Sequence, residues 1–237
     1  MNIGIRPIAL ERCLVSVVLF LLVAGLVAEL APVIWPLQTE ELPLGFLSLS
    51  VEQNLPTWFS SQLIFFCALL LAVISFARDG HGAEYSRHWR GLAVVFAYIS
   101  LDEAVELHEE LNLLLETDGI FHFGWTIPFG VLVIALSIIY WRFLWRLPAK
   151  TRRRFILAGM LYVGGALGVE LPLGYWTALH GDENLTYALI DWVEESMEIC
   201  GMSVFAWALA NFLASGDARL RIDGVSSESA STELSKG

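Results

Sequence analysis

Asp102, Glu103, Glu106, His108, Glu109 and Glu110 crowd one apolar stretch, YISLDEAVELHEELNLLLE (98–116), and no Lys or Arg accompanies them. A second group, Asp191, Glu194, Glu195 and Glu198, stands in YALIDWVEESMEICG (187–201), and Glu170 stands alone in VGGALGVELPLG (163–174). Carboxylates with one imidazole suit Mn, Fe, Ca or Mg better than copper or a structural zinc ion. The candidate metal ligands are therefore Asp102, Glu106, His108, Glu109, Glu170, Asp191, Glu195 and Glu198. Glu103 and Glu194 remain as candidate catalytic acids or bases. Cys13, Cys67 and Cys200 all fall inside apolar runs, which argues against a disulfide framework or a cysteine zinc site.

Helical spacing groups these acids further. In a helix over 92–115, Asp102, Glu106 and Glu109 (i, i+4, i+7) form one stripe, and Asp191, Glu195 and Glu198 repeat that spacing near the C-terminus. Run antiparallel, the two combs set Asp102 level with Glu198, Glu106 with Glu195, and Glu109 with Asp191. They span about 10 Å, room for two ions about 4 Å apart. Polar residues around most of its circumference make 92–115 the expected central helix, with 187–213 more peripheral. The pair Glu195 and Glu198 matches half of a di-iron bundle, but Val105 stands three residues before His108, where the Glu-x-x-His motif needs an acid. Pro172 predicts a kink beside Glu170, and the glycines before it permit close helix approach.

What positions these groups follows from composition. The chain has 237 residues, 56% of them hydrophobic and only 16% charged, too apolar for an ordinary soluble domain. The expected fold is all-α, a polytopic bundle of six transmembrane helices near 13–35, 58–76, 92–115, 125–143, 155–176 and 187–213, within a domain covering 1–214. The polar, Ser-rich segment 215–237 predicts a disordered cytoplasmic tail. The connection 42–56 is too short to span and is expected along the membrane interface. All 14 Lys and Arg residues fall on one side of this topology, whereas 36–57, 116–124 and 177–186 hold none. Both termini are therefore expected in the cytoplasm, with the protein multi-pass in a bacterial inner membrane. The basic start and apolar run of the first span resemble a signal peptide, but the run continues past the place where cleavage would fall.

This topology collects the acids in the outer half of the membrane and leaves the inner halves of the spans without them. An acid near the bilayer centre costs at least about 2.5 kcal/mol, so protons, cations or a water-filled cavity must compensate. His122 and His180, in outer connections, are expected at the surface, and His81 and His88 lie on the cytoplasmic side.

The motifs SLDEAVELHEEL, GWTIPFG, GGALGVEL and YALIDWVEESMEICG, with their LDE-x4-HE and EE-x2-E patterns, resemble a group of uncharacterised bacterial multi-pass membrane proteins that carries no known activity. The paired Glu194 and Glu195 also resemble those of intramembrane CAAX-type proteases, but Ile199 stands where that pattern requires Arg. The expected function is a membrane metalloprotein with one or two divalent cations in an outward-facing carboxylate and histidine cluster. Whether it is an enzyme stays open. An enzyme would act on a lipid or quinone entering from the bilayer; the alternatives are a cation or proton transporter and a metal or pH sensor. A homo-oligomer is compatible with this pattern, and a net charge of -11 argues against nucleic acid.

Overall fold

The computed structural model describes residues 7–34, 43–78, 85–115 and 117–215; His81 and the tail beyond 215 lie outside the described residues. Eight α-helices follow one another: α1 Pro7–Ile34, α2 Leu55–Arg78, α3 Ser86–Val105, α4 Glu109–Leu114, α5 Thr126–Arg146, α6 Ala149–Val163, α7 Glu170–His180 and α8 Leu185–Ala214. No strand occurs among the described residues. Among the described residues, five helical stretches are long and apolar enough to cross a membrane: Ile8–Ile34, Leu55–Phe76, Thr126–Arg146, Ala149–His180 and Leu185–Ala214.

The segment expected as one helix over 92–115 is instead broken. α3 ends at Val105, Glu106 adopts a left-handed conformation (φ 56°, ψ 42°), and α4 begins at Glu109. Neither Gly nor Pro occupies 105–108, so no local signal dictates the break. A left-handed non-glycine residue costs about 1–2 kcal/mol, which surrounding contacts must offset. Gln53 (φ 57°) is the other such residue among those described, and it adjoins Glu52.

The expected positions of the third and last spans are also reversed. α8 packs closely against α1, α2, α6, α7 and the turn between α6 and α7, whereas α3 approaches closely only α2 and reaches α5, α6 and α8 through the rings of Trp89 and Phe96. Small side chains on the inner part of α8 explain this: Ala206, Ala208 and Ala210 are fully buried, and a Cβ at Gly201 would lie 2.7 Å from the Tyr162 backbone nitrogen. Around them Ile64, Cys67, Leu71, Trp89, Phe155 and Phe212 form the main core, which contains no ionisable carboxylate.

The helix widens just before Glu170 and Pro172. The wide helical turn Gly164–Val169 precedes both, with the Glu170 N–H bonded to the carbonyl of Gly165, five residues back. Gly165 brings this turn against α8, where an added Cβ would lie 2.8 Å from the Glu194 carbonyl oxygen and 2.9 Å from Glu198 Cγ.

Connection 43–54 is exposed over much of its length but buries Ser48 and Leu49. Leu49, 4% exposed, inserts beside Val18 and Ile199, in space left by Gly25, where a Cβ would meet Leu49 Cγ at 2.8 Å. Asn54 caps α2 by accepting from the Thr57 N–H at 3.2 Å, while its amide donates to the carbonyls of Gly45, Ser48 and Val51 at 2.8, 2.7 and 2.6 Å. The Ser48 hydroxyl donates to Glu29, and that of Ser50 to the Ala188 carbonyl at 3.3 Å. Together these contacts hold the connection as a cap between α1, α2 and α8.

Candidate metal centre

One cavity of about 470 Å³ opens beneath this cap. Asp102 and Glu103 reach it from α3, His108 from the break, Glu109 from α4, and Glu170 from α7. Asp191, Glu194, Glu195 and Glu198 reach it from α8, so every candidate residue named from the sequence except Glu106 lines it. No Lys or Arg does so.

The two combs do not meet in the expected register. Glu103, one residue along from Asp102, is the α3 acid that neighbours Glu195 and Glu198. Glu106 and Glu109 have left the α3 stripe because the chain turns at Glu106, and they face Glu52 of the cap. Glu170 and Glu194 oppose each other where α7 meets α8.

His108 is fixed from several sides. Its Nδ1 lies 3.1 Å from Asp102 Oδ2, its Nε2 lies 3.6 Å from Glu109 Oε1, and its ring meets that of Trp125 at 5.0 Å between centroids. Asp102 is itself positioned by a reciprocal bond just before it in the chain: the Ser61 hydroxyl donates to the Ser100 carbonyl and the Ser100 hydroxyl to the Ser61 carbonyl, both at 2.8 Å. With Nδ1 directed at a carboxylate, Nε2 is left as the metal-binding nitrogen, the arrangement that fixes histidine tautomers in metal sites.

Glu52, His108 and Glu109 each offer a ligand atom, all within 4.8 Å of one another. Glu52 and Glu109 are exposed and His108 half-buried; partial desolvation of the Glu52 carboxyl, its hydrogen bond to Glu106, and the charges of Glu106 and Glu109 push its pKa up to about 8, against an opposing pull from His108. Sequence periodicity misses Glu52 because it lies in no helix; the one signal available is an acid within the apolar run LPLGFLSLSVEQNLP (42–56).

Buried oxygens elsewhere in the cluster lack partners. Asp102 Oδ1, Glu106 Oε1, Asp191 Oδ2 and Glu194 Oε2 have no hydrogen-bond partner. Ionised carboxylates can only accept, so such a set calls for protons or a cation. Tyr162, Tyr187 and Trp125 complete the polar wall.

The remaining candidates stand apart. Glu110 is exposed and does not line the cavity. His180 is exposed and stacks on Trp176 at 4.0 Å, His122 packs edge-on against Phe123, and His88 lies among Tyr85, Tyr140 and Phe143.

The sequence model of a family described as a domain of unknown function (DUF8692) matches residues 14–212. No curated protein and no solved structure matches the chain.

Proposed function

The chain belongs to this family of unassigned activity, and we propose that it is a six-pass membrane metalloprotein of a bacterial inner membrane, its termini cytoplasmic and its cavity facing outward. One divalent ion, Mn, Fe, Ca or Mg, is held by Glu52, His108 Nε2 and Glu109, and the acids of α7 and α8 offer a second position. The observation that carries this reading is the convergence of Glu52, His108 and Glu109 within 4.8 Å, in a cavity with orphaned carboxylate oxygens and, among the described residues, no Lys or Arg. Asp102 then serves as the carboxylate that orients His108 rather than as a ligand.

The ion would supply Lewis acidity toward an oxygen of the substrate. Glu103 and Glu194, whose oxygens line the same cavity, are placed to accept or return a proton there. The inner half beneath holds a packed apolar core in which Trp89, Leu71 and Ala206 are fully buried. That favours a membrane enzyme acting on a lipid-soluble substrate over a cation or proton transporter.

Elemental analysis of native protein purified without chelator tests the proposal. One or two equivalents of a divalent metal are expected, with loss on Glu52→Ala or His108→Ala. Absence of stoichiometric metal, or its retention in both variants, would refute it. Cation flux into proteoliposomes above that of empty vesicles would instead establish transport.

A further inference from the structure

The cavity does not end at the acids. Its inner part is an apolar slot walled by Val94 and Tyr98 of α3 and by Phe129, Leu132, Val133 and Leu136 of α5. The α5 residues recur at i, i+3, i+4 and i+7, so one continuous stripe of that helix faces the slot. α5 is anchored at its ends, by buried Thr126 at one and by buried Phe143 and the bond from the Tyr140 hydroxyl to the His88 carbonyl at the other. Between those anchors it packs extensively against no other helix. The slot is open along its length: Val94 is 70% exposed, Tyr98 45% and Leu132 45%, although all three line it.

We infer that this slot takes the apolar chain of a lipid whose phosphate head group sits at the metal. The inference rests on the metal reading above and names the substrate class of that site. Hydrocarbon is the only medium beside an open apolar slot in a membrane helix bundle, and close packing demands that such a gap be filled. The head is assigned by the ion: among the described residues no Lys or Arg lines the cavity, so a phosphate there needs a divalent cation to offset the carboxylates, and such a cation completes its coordination with phosphate oxygens. The Tyr162 and Tyr187 side chains line the same chamber, where a phenol can donate to a phosphate oxygen.

Photo-crosslinking in phosphatidylcholine nanodiscs tests the assignment, with phosphatidate carrying a mid-chain diazirine as probe and the matched diacylglycerol as its neutral counterpart. With Mn²⁺ present, phosphatidate is expected to label peptides covering 94–99 and 129–136 above the exposed face of α1, and EDTA is expected to lower that labelling. Val133→Trp, which fills the slot in place of at least two chain methylenes, should cut it by about tenfold. Ile138→Trp, at a position 71% exposed on the same helix, should not. Labelling spread evenly over the exposed helices and unchanged by Val133→Trp overturns the slot. Labelling equal for both probes, or equal with EDTA, overturns the phosphate head. Elemental analysis of the same samples separates the two levels: bound Mn²⁺ without slot labelling refutes this inference alone, whereas no bound Mn²⁺ refutes the metal reading and the head-group assignment together.

Discussion

Asp102→Asn separates a carboxylate that orients a metal ligand from one that merely holds the bundle together. Asp102 is 7% exposed, its Oδ2 lies 3.1 Å from His108 Nδ1, and its Oδ1 has no partner. The amide keeps the shape but removes the charge that fixes the Nδ1–H tautomer and makes the ring a better donor. Charge-assisted hydrogen bonds contribute about 1.5–3 kcal/mol, and outer partners of metal-binding histidines change affinity by about 10–100-fold. The two figures agree, since a tenfold change corresponds to about 1.4 kcal/mol. Mn²⁺ titration calorimetry on protein in nanodiscs should therefore show Kd rising by one to two orders of magnitude. Metal-free stability should change by less than the bond alone would give, because weakening the bond to His108 costs up to about 1.5–3 kcal/mol while removing a buried charge whose second oxygen is unpaired offsets part of it. An unchanged Kd together with a fall of more than about 1 kcal/mol in metal-free stability would make Asp102 a structural residue and refute the orienting role.

Metal binding should be proton-linked through Glu52, whose carboxyl is pushed up to about 8 from 4.5. Between those values the folded protein holds a proton that the unfolded chain has lost, so metal-free stability falls as pH rises through that window. Mn²⁺ affinity rises over the same range with proton release, and Glu52→Gln, followed by calorimetry in buffers of different ionisation enthalpy, should abolish that release. Gly165→Ala places a Cβ 2.8 Å from the Glu194 carbonyl oxygen and should destabilise by about 1–3 kcal/mol, seen as a lower thermal midpoint with weaker Mn²⁺ binding. Gln53→Gly relieves a left-handed conformation worth about 1–2 kcal/mol at a backbone-entropy cost of about 0.5–1 kcal/mol, so a small rise in thermal midpoint is expected. A fall on Gln53→Gly would show that the side chain, not the backbone, matters there. Asn54→Ala removes the α2 cap and the amide N–H groups shared among the carbonyls of Gly45, Ser48 and Val51, so Glu52 should lose its position and Mn²⁺ affinity should fall even though no ligand has changed.

Apolar length and the grouping of acids made much of this molecule readable in advance, because both are properties of single segments. Long apolar helices occupy five of the expected spans, and all but one of the candidate site residues line a single cavity. What periodicity could not supply was any feature depending on two segments at once. The break at Glu106 has no Gly or Pro to announce it, since the segment VELH reads as helix locally. The central place of α8 depends on Gly201 meeting Ala158 and Tyr162 of α6, whereas in the sequence the same glycine marks only an apolar face.

The break and the missed acid have one physical origin. A straight helix through Glu109 would keep Glu106 and Glu109 on the α3 stripe, opposite the α8 acids Glu195 and Glu198. Turning at Glu106 takes Glu106 out of the cavity lining and brings Glu109 to the Glu52 side of it, with His108 between that group and Asp102. The cost of about 1–2 kcal/mol for the left-handed residue is small beside that of several close buried carboxylates. The left-handed Gln53 shows that the cap bends on its own side of the same meeting point. Backbone strain at Gln53 and Glu106 thus marks the place where a histidine and two glutamates from separate segments converge. No single helix could have presented that set, which explains why the acid combs in the sequence point to the chamber but not to Glu52.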